Sequence, residues 1–470
     1  MVIGAINNYN YSITNPGYSK KDVNSTATTA PINTPSAPVA SQTQTPSISK
    51  DLAFSGLFGS PSIKDPEQKK KYQEVTSVAD AETKKHLKNL LKTGRLLNKE
   101  SNDGSTTLDN LHLIATTPRH AGLDNRVILR ETVKELENPF IITQKFGDIP
   151  QGIDEQIVNY EKQLKEKNIA PEGTTLNPQE YNVEYSSTCP AASMQFNLAD
   201  KKPAEYARIA ASLTSPDPKF TKRVNFKNIA PSIVESLELL KDFKAEIKKP
   251  ADSWEHIDVI VKPDQNAIIR AQIQNSHQDP GERSSVSSLM QSAFMNLGSQ
   301  DAYNSLTDKR YGKFSTNNEG LTEFEKNFLE SIMDDEPKIS IVYQNIDDDQ
   351  KLQGYNFDHK ATEQHLLESL KSDSNVIIGI IEFDENKQVI GGHEITVIGS
   401  KKDMKGNVSF ICNDTDDNYS GPIMIRSEDL IPKIHHAGIP AKLVELPKEK
   451  EVGYQILDDY SNFKNTEKAA

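Results

Sequence analysis

Two cysteines occur in the 470 residues, and only one of them has neighbours suited to chemistry. Cys189 stands in Ser-Ser-Thr-Cys-Pro-Ala-Ala-Ser-Met-Gln-Phe. Proline is favoured at the first position of a helix, so Pro190 predicts a helix running through Leu198 with Cys189 as its N-cap. At such a helix tip, unpaired backbone N–H groups and the positive end of the dipole face the sulfur and favour thiolate over thiol. Ala191, Ala192 and Ser193 are small enough for close packing behind the site. Cys412, inside Val-Ser-Phe-Ile-Cys, reads as a buried strand thiol.

A thiol nucleophile needs a base. His393 follows Gly391–Gly392 and opens the strand pattern His-Glu-Ile-Thr-Val-Ile-Gly; an imidazole there can take the thiol proton and later return it to a leaving group. The next strand, Val-Ser-Phe-Ile-Cys-Asn-Asp, would pair with it across the Lys-Lys-Asp-Met-Lys-Gly-Asn turn. Adjacent strand residues point to opposite faces, so only one of Asp414 and Asn413 can orient the ring; Asp414 is preferred and Asn413 is the alternate. His277, followed by Gln-Asp-Pro-Gly, reads as a surface-loop rival to His393. His435 and His436 read as solvated surface, because neighbours on a strand point apart and rarely share a metal. Asp414 to Asn418 resembles the opening of a calcium loop, but Tyr419 and Ile425 stand where that loop needs Gly and Glu. Two cysteines without a spaced His pair do not form a familiar four-ligand zinc pattern, so neither metal nor organic cofactor is expected.

Together these stretches resemble the papain-like cysteine peptidase superfamily, and within it the bacterial branch of double-glycine (bacteriocin-leader-processing) peptidases. That branch has Cys-Gly-Pro-Ala at the nucleophile, a Gly-His strand continuing Val-Val-Val-Gly, and a strand ending Asn-Asp-Pro. The counterparts are Cys189-Pro190-Ala191-Ala192, Gly392-His393 through Gly399, and Cys412-Asn413-Asp414-Thr415, in the same chain order. The resemblance implies peptide-bond hydrolysis of a protein or peptide substrate through an acyl-enzyme. Cys189 would attack, His393 would act as base and then acid, Asp414 or Asn413 would orient His393, and the Cys189 N–H would serve the oxyanion hole. The chain departs from the family in three ways. The glycine after the cysteine is absent, and Val183 stands where the family has its oxyanion Gln, leaving Asn182, Glu184 or Gln179 as stand-ins. Cys189 and His393 also lie farther apart than the roughly 130–150 residues of papain, which implies an insertion at about 205–355. Alternatives are a transglutaminase-like or deamidating acyl-transfer enzyme and a catalytically inactive papain-like binding module.

The elements that must carry these residues give an α+β fold. Residues 1–60 are Ser/Thr/Pro-rich and read as a disordered leader. Residues 61–170 read as a helical module, a possible occluding prosegment: Leu87, Leu90 and Leu91 form one face, Leu108, Leu111 and Ile114 a second, and Leu123, Val127, Ile128 and Leu136 a third. Asp124 caps the third helix and Asn138–Pro139 stops it, while Ile153, Ile157, Tyr160 and Leu164 suggest another. Residues 171–455 would be the papain-like domain and 456–470 a flexible tail. Within that domain 230–246, 284–298 and 319–333 read as helices, and His-Ile-Asp-Val-Ile-Val and Asn-Ala-Ile-Ile-Arg-Ala-Gln-Ile-Gln as a hairpin. Ala361 to Asp373 reads as a helix, followed by strands at Asn375–Asp384, Gly391–Ser400, Val408–Asp414 and Gly421–Ile425.

The net charge of −13 disfavours nucleic acid and anionic membrane surfaces as partners. No apolar run is long enough to span a bilayer, and Met-Val-Ile-Gly-Ala-Ile-Asn-Asn lacks the basic and apolar regions of a secretory signal. The expected address is cytoplasmic, or exported by a leaderless route.

Overall fold

The computed structural model describes residues 52–54, 61–145, 186–225, 229, 244–248, 256–276, 281–310, 320–346, 351–354, 358–386, 388–416 and 421–444. The leader and tail, and the helices expected near 153–164 and 230–246, fall outside them apart from a few residues at 52–54 and 244–246.

The chain first builds a helical body. α1 (Pro66–Val78), α2 (Ala81–Lys92), α3 (Thr107–Thr116) and α4 (Asn125–Glu137) each begin at a side-chain cap. Asp65, Asp80 and Asp124 accept backbone N–H bonds, and Thr106 with Asp109 forms a capping box. The three predicted apolar faces are buried apart from Val127. α5 (Cys189–Lys201), α6 (Pro203–Leu213) and a three-stranded antiparallel sheet follow: β1 (Phe220–Asn225), β2 (Glu246–Lys248) and β3 (His256–Val261), with β3 central. α7 (Ala267–Ser276), α8 (Ser285–Gly298) and α9 (Glu323–Met333) complete the body.

One expectation is corrected here. Asn-Ala-Ile-Ile-Arg-Ala-Gln-Ile-Gln forms helix α7 and not the second strand of a hairpin. Ile268, Ile269, Ala271 and Ile273 are all buried, and an apolar run covered on several sides fits strand and helix patterns alike. Residues 205–355, expected as an insertion, include α8, every residue of which is buried. α8 packs against α4, α5, α6, α7 and α9 and is the axis of the body. Helices α1 to α4 share one continuous hydrophobic core with α5 and α8. Tyr206 of α6 donates to Glu135 of α4, and Ser284 and Ser287 of the α8 N-terminus donate to the same carboxylate at 2.6 and 2.8 Å.

The second body is a six-stranded antiparallel sheet made of β4 (Lys338–Val342), β5 (Val376–Phe383), β6 (Val389–Lys402), β7 (Val408–Asn413), β8 (Ile423–Arg426) and β9 (Ile434–Pro440). Its spatial order is β8-β7-β6-β5-β9-β4. α10 (His359–Lys371) lays Leu366, Leu367 and Leu370 on one face over Val376, Ile378, Ile395 and Val397. α5 and α9 lie against the sheet as well, so β5 is largely covered and reads as a near-continuous apolar run. No helix among the described residues is long and apolar enough to cross a membrane.

Because α1 to α4 build the common core, removing them is expected to unfold the chain and not to unmask a cleft. A chain starting at residue 143 loses the fully buried Leu87, Leu90, Leu111, Leu129, Val133 and Leu136. At about 1.5–3 kcal/mol each this rivals the whole stability of a domain. Thermal melting followed by circular dichroism should show no cooperative transition; a native-like melt would contradict the shared core.

Candidate active site

Cys189 is the first residue of α5, and Thr188 is the cap. The helix therefore starts one residue earlier than expected. Proline at the second helical position is also tolerated, since its missing N–H would have had no intrahelical acceptor. The Ala192 N–H reaches the Thr188 carbonyl at 2.9 Å, which leaves the Cys189 and Ala191 N–H groups at the tip without an intrahelical acceptor. Thr188 makes no capping bond; its hydroxyl donates to Gln291 Oε1 of α8 at 3.1 Å. Cys189 is partly exposed and unbridged.

His393 lies in β6 opposite Ile380 of β5. β7 pairs Asn413 with Thr396, so the strand ends one residue before Asp414, whose carboxylate turns to the imidazole. His393 Nε2 donates to Asp414 Oδ1 at 2.7 Å, and the Asp416 N–H donates to the same oxygen at 2.9 Å. The second ring nitrogen, Nδ1, takes no part in that bond, and the Cys189 sulfur is near enough to the ring to act on it electrostatically. Asn413 takes no part: it is buried, and its Nδ2 has no hydrogen-bond partner among the described residues. Asn182 and Gln179, the expected oxyanion donors, and the rival His277 lie outside the described residues.

The electrostatics of the chain favour a charged ring. Burial pulls the His393 pKa down, but the hydrogen bonds and charges of Asp414 and Cys189 outweigh it and hold the imidazolium well above the usual value of 6.5. Burial raises the Asp414 carboxyl, and its contacts with His393 and the Asp416 N–H overcome this and leave it lowered. Cys412, one strand end away, is pushed up to about 12 by burial and by the Asp414 charge, which keeps it an inert core thiol.

Cys189 belongs to the helical body and His393 with Asp414 to the sheet, so something must hold the two in register. A strap at Thr143–Gln144–Lys145 does so. The Thr143 hydroxyl and the Gln144 N–H donate to the Thr415 carbonyl at 2.9 and 3.0 Å, and the Thr415 hydroxyl donates to Gln144 Oε1 at 2.9 Å. Gln144 Nε2 donates to the Ser186 carbonyl at 3.1 Å. One buried side chain therefore joins the residue after Asp414 to the approach to Cys189. Arg283 clamps the strap from behind: its Nε and Nη2 donate to the Gln144 carbonyl at 3.0 and 2.7 Å, and Nη2 also meets the Ser186 and Thr188 hydroxyls. The sequence carries no spacing signal for Gln144, because it lies far from all three reacting groups along the chain.

His435 and His436, expected on a solvated surface, are buried with their Nδ1 atoms 2.9 Å apart. Strand β9 runs between β5 and β4 and is covered on both faces. Its register against β5 shifts at this point, and such a bulge breaks the alternation that would have parted the two rings.

No family model, curated protein or solved structure matches this chain.

Two outcomes follow from this geometry. Gln144→Ala leaves the Ser186 carbonyl and Thr415 hydroxyl without these partners and should cost about 1–3 kcal/mol of stability; chemical denaturation measures it, and an unchanged midpoint would show that the strap is slack. The His393 ring should stay protonated above 6.5, as read from its Cε1–H resonance in an NMR titration. Asp414→Asn should shift that titration to lower pH, while Asn413→Ala should leave it in place. Because the folded value is raised, the stability that Cys189 and Asp414 lend through the ring is fully present below about 6.5 and is lost as pH rises through the folded value.

Proposed function

We propose that this protein is a cysteine hydrolase of the papain-like type that cleaves peptide bonds through an acyl-enzyme. The observation that carries the reading is the position of His393, bonded through Nε2 to Asp414 at 2.7 Å with the Cys189 sulfur near enough to act on the ring. Nucleophile, base and orienting group in contact are the three roles that such chemistry requires. The order of the residues along the chain, with Cys189 on a helix packed against an antiparallel sheet carrying His393, supports the papain-like assignment.

In this mechanism the Cys189 sulfur attacks the carbonyl carbon of a peptide bond. The tetrahedral oxyanion takes the N–H groups at the α5 tip, Cys189 and Ala191, which point where negative charge develops. The His393 imidazolium gives its Nδ1 proton to the departing amine as the C–N bond breaks and leaves a thioester on Cys189. The neutral ring then takes a proton from water, whose oxygen attacks the thioester, and the carboxylate product departs with regeneration of the thiolate–imidazolium pair. Asp414, held lowered by His393, keeps Nε2 protonated and Nδ1 aimed at the sulfur throughout.

The test begins without a substrate. An iodoacetamide pulse followed by peptide mass spectrometry should label Cys189 at least about 100-fold faster than the buried Cys412. Peptide-library digestion should then show cleavage that falls by at least about 10³-fold in Cys189→Ala and in His393→Ala. Labelling without cleavage, or modified glutamine side chains when an amine is supplied, would replace hydrolysis with binding or acyl transfer.

A further inference from the structure

We propose that Glu323, His435 and His436 form a binding site for a divalent transition-metal ion, with zinc the ion its donor set suits, on a part of the sheet that the Cys189 chemistry does not use. His435 Nδ1 and His436 Nδ1 lie 2.9 Å apart, and Glu323 Oε1 lies 3.4 and 3.9 Å from them. Those three lengths fix a triangle whose centre is about 2.0 Å from every corner, the length of zinc–imidazole and zinc–carboxylate bonds. Two imidazoles and one carboxylate leave a fourth position for water, and the partial exposure of Glu323 gives a path inward.

Three features of the fold build the constellation. The register shift of β9 against β5 lets consecutive histidines converge. Gly379, opposite His436, provides the floor: a Cβ there would stand 2.2 Å from His436 Cε1 and 2.6 Å from its Nδ1, so only glycine admits the ring. Beyond Gly379 the ring meets β6, where His436 Nε2 donates to Glu394 Oε1 at 2.8 Å. A carboxylate accepts only, so this bond fixes the proton on Nε2 and leaves Nδ1, a corner of the triangle, with its lone pair. A carboxylate behind a ligating histidine is the usual support of a zinc ligand. Lys326 Nζ lies 3.3 Å from the other Glu394 oxygen, so this cation is spent on the support. The rival account is a plain hydrogen bond between the two Nδ1 atoms, and it needs no ion.

Zinc would also find the Cys189 thiolate, so the measurement uses full-length Cys189→Ala protein stripped with chelator. Titration with Zn²⁺ should give about one equivalent bound and a rise in melting temperature that grows with Zn²⁺ concentration. Co²⁺ in its place should give the intense visible absorption of a low-symmetry N/O site. Glu323→Gln and His435→Gln in that background should each weaken binding by at least roughly tenfold, and Glu394→Gln by a similar factor through the ring. Glu323 sits partly exposed at a helix start, so that variant keeps the fold if the buried ones do not. Absence of saturable binding, or binding that is equal in parent and Glu323→Gln, overturns the site and leaves the hydrogen bond. The peptidase reading stands or falls separately, since the nucleophile is absent from every protein in this test.

Discussion

The site depends on one interaction, the bond from His393 Nε2 to Asp414 Oδ1. Without it the ring is free to rotate about its side-chain bonds, and neither nitrogen has a fixed role. With it, Nε2 is fixed as the donor, and in the neutral ring Nδ1 keeps its lone pair. The side chains of His393 and Asp414 are only 13% and 23% exposed, so water screens their attraction weakly, and the charged pair outlasts the penalty that burial places on each. A surface pair of the same geometry would have much less effect on either group.

That interaction is useful only if the sulfur arrives at the right place, and the sulfur belongs to another body. The two hydrophobic cores are separate, one in the helices and one beneath α10. Apolar packing alone fixes neither the height of the α5 tip nor its distance from the end of β7. The strap at Thr143–Lys145 supplies directional bonds to both places, and Arg283 with Gln291 ties those bonds to α8, the most deeply buried helix. A polar network inside a protein is costly when half-made and stiff when complete. Here it stands where rigidity matters most to the chemistry.

What the sequence made legible follows from this division. Cys189, His393 and Asp414 could be read because each depends on local rules: proline near a helix start, a strand opened by glycines, and a strand end beyond a hairpin turn. The cap at Asp124 was legible for the same reason. Gln144 was not, since its meaning comes from two partners that lie 42 and 271 residues further along the chain. α7 was mistaken for a strand because its residues are covered around most of the helix, and the spacing of Ile268, Ile269, Ala271 and Ile273 fits either period. The choice between Asp414 and Asn413 needed the register, which no residue type announces.

The histidine pair in β9 shows the same limit from the other side. Alternation says that neighbours in a strand part, and His393 and Glu394 do part: one meets Asp414 and the other reaches Lys326 and His436. His435 and His436 do not, because the mate strand β5 presents a residue without a side chain and the pairing slips beside it. Whether two adjacent residues share a face is thus decided by the partner strand and not by their own sequence. Gly379, His436 and Glu394 form a row across β9, β5 and β6, and a larger residue at the middle of that row would push the imidazole off its carboxylate. The sheet carries the His393–Asp414 pair on β6 and a second polar cluster one residue along the same strand. The strand's alternation keeps the two from competing for one proton.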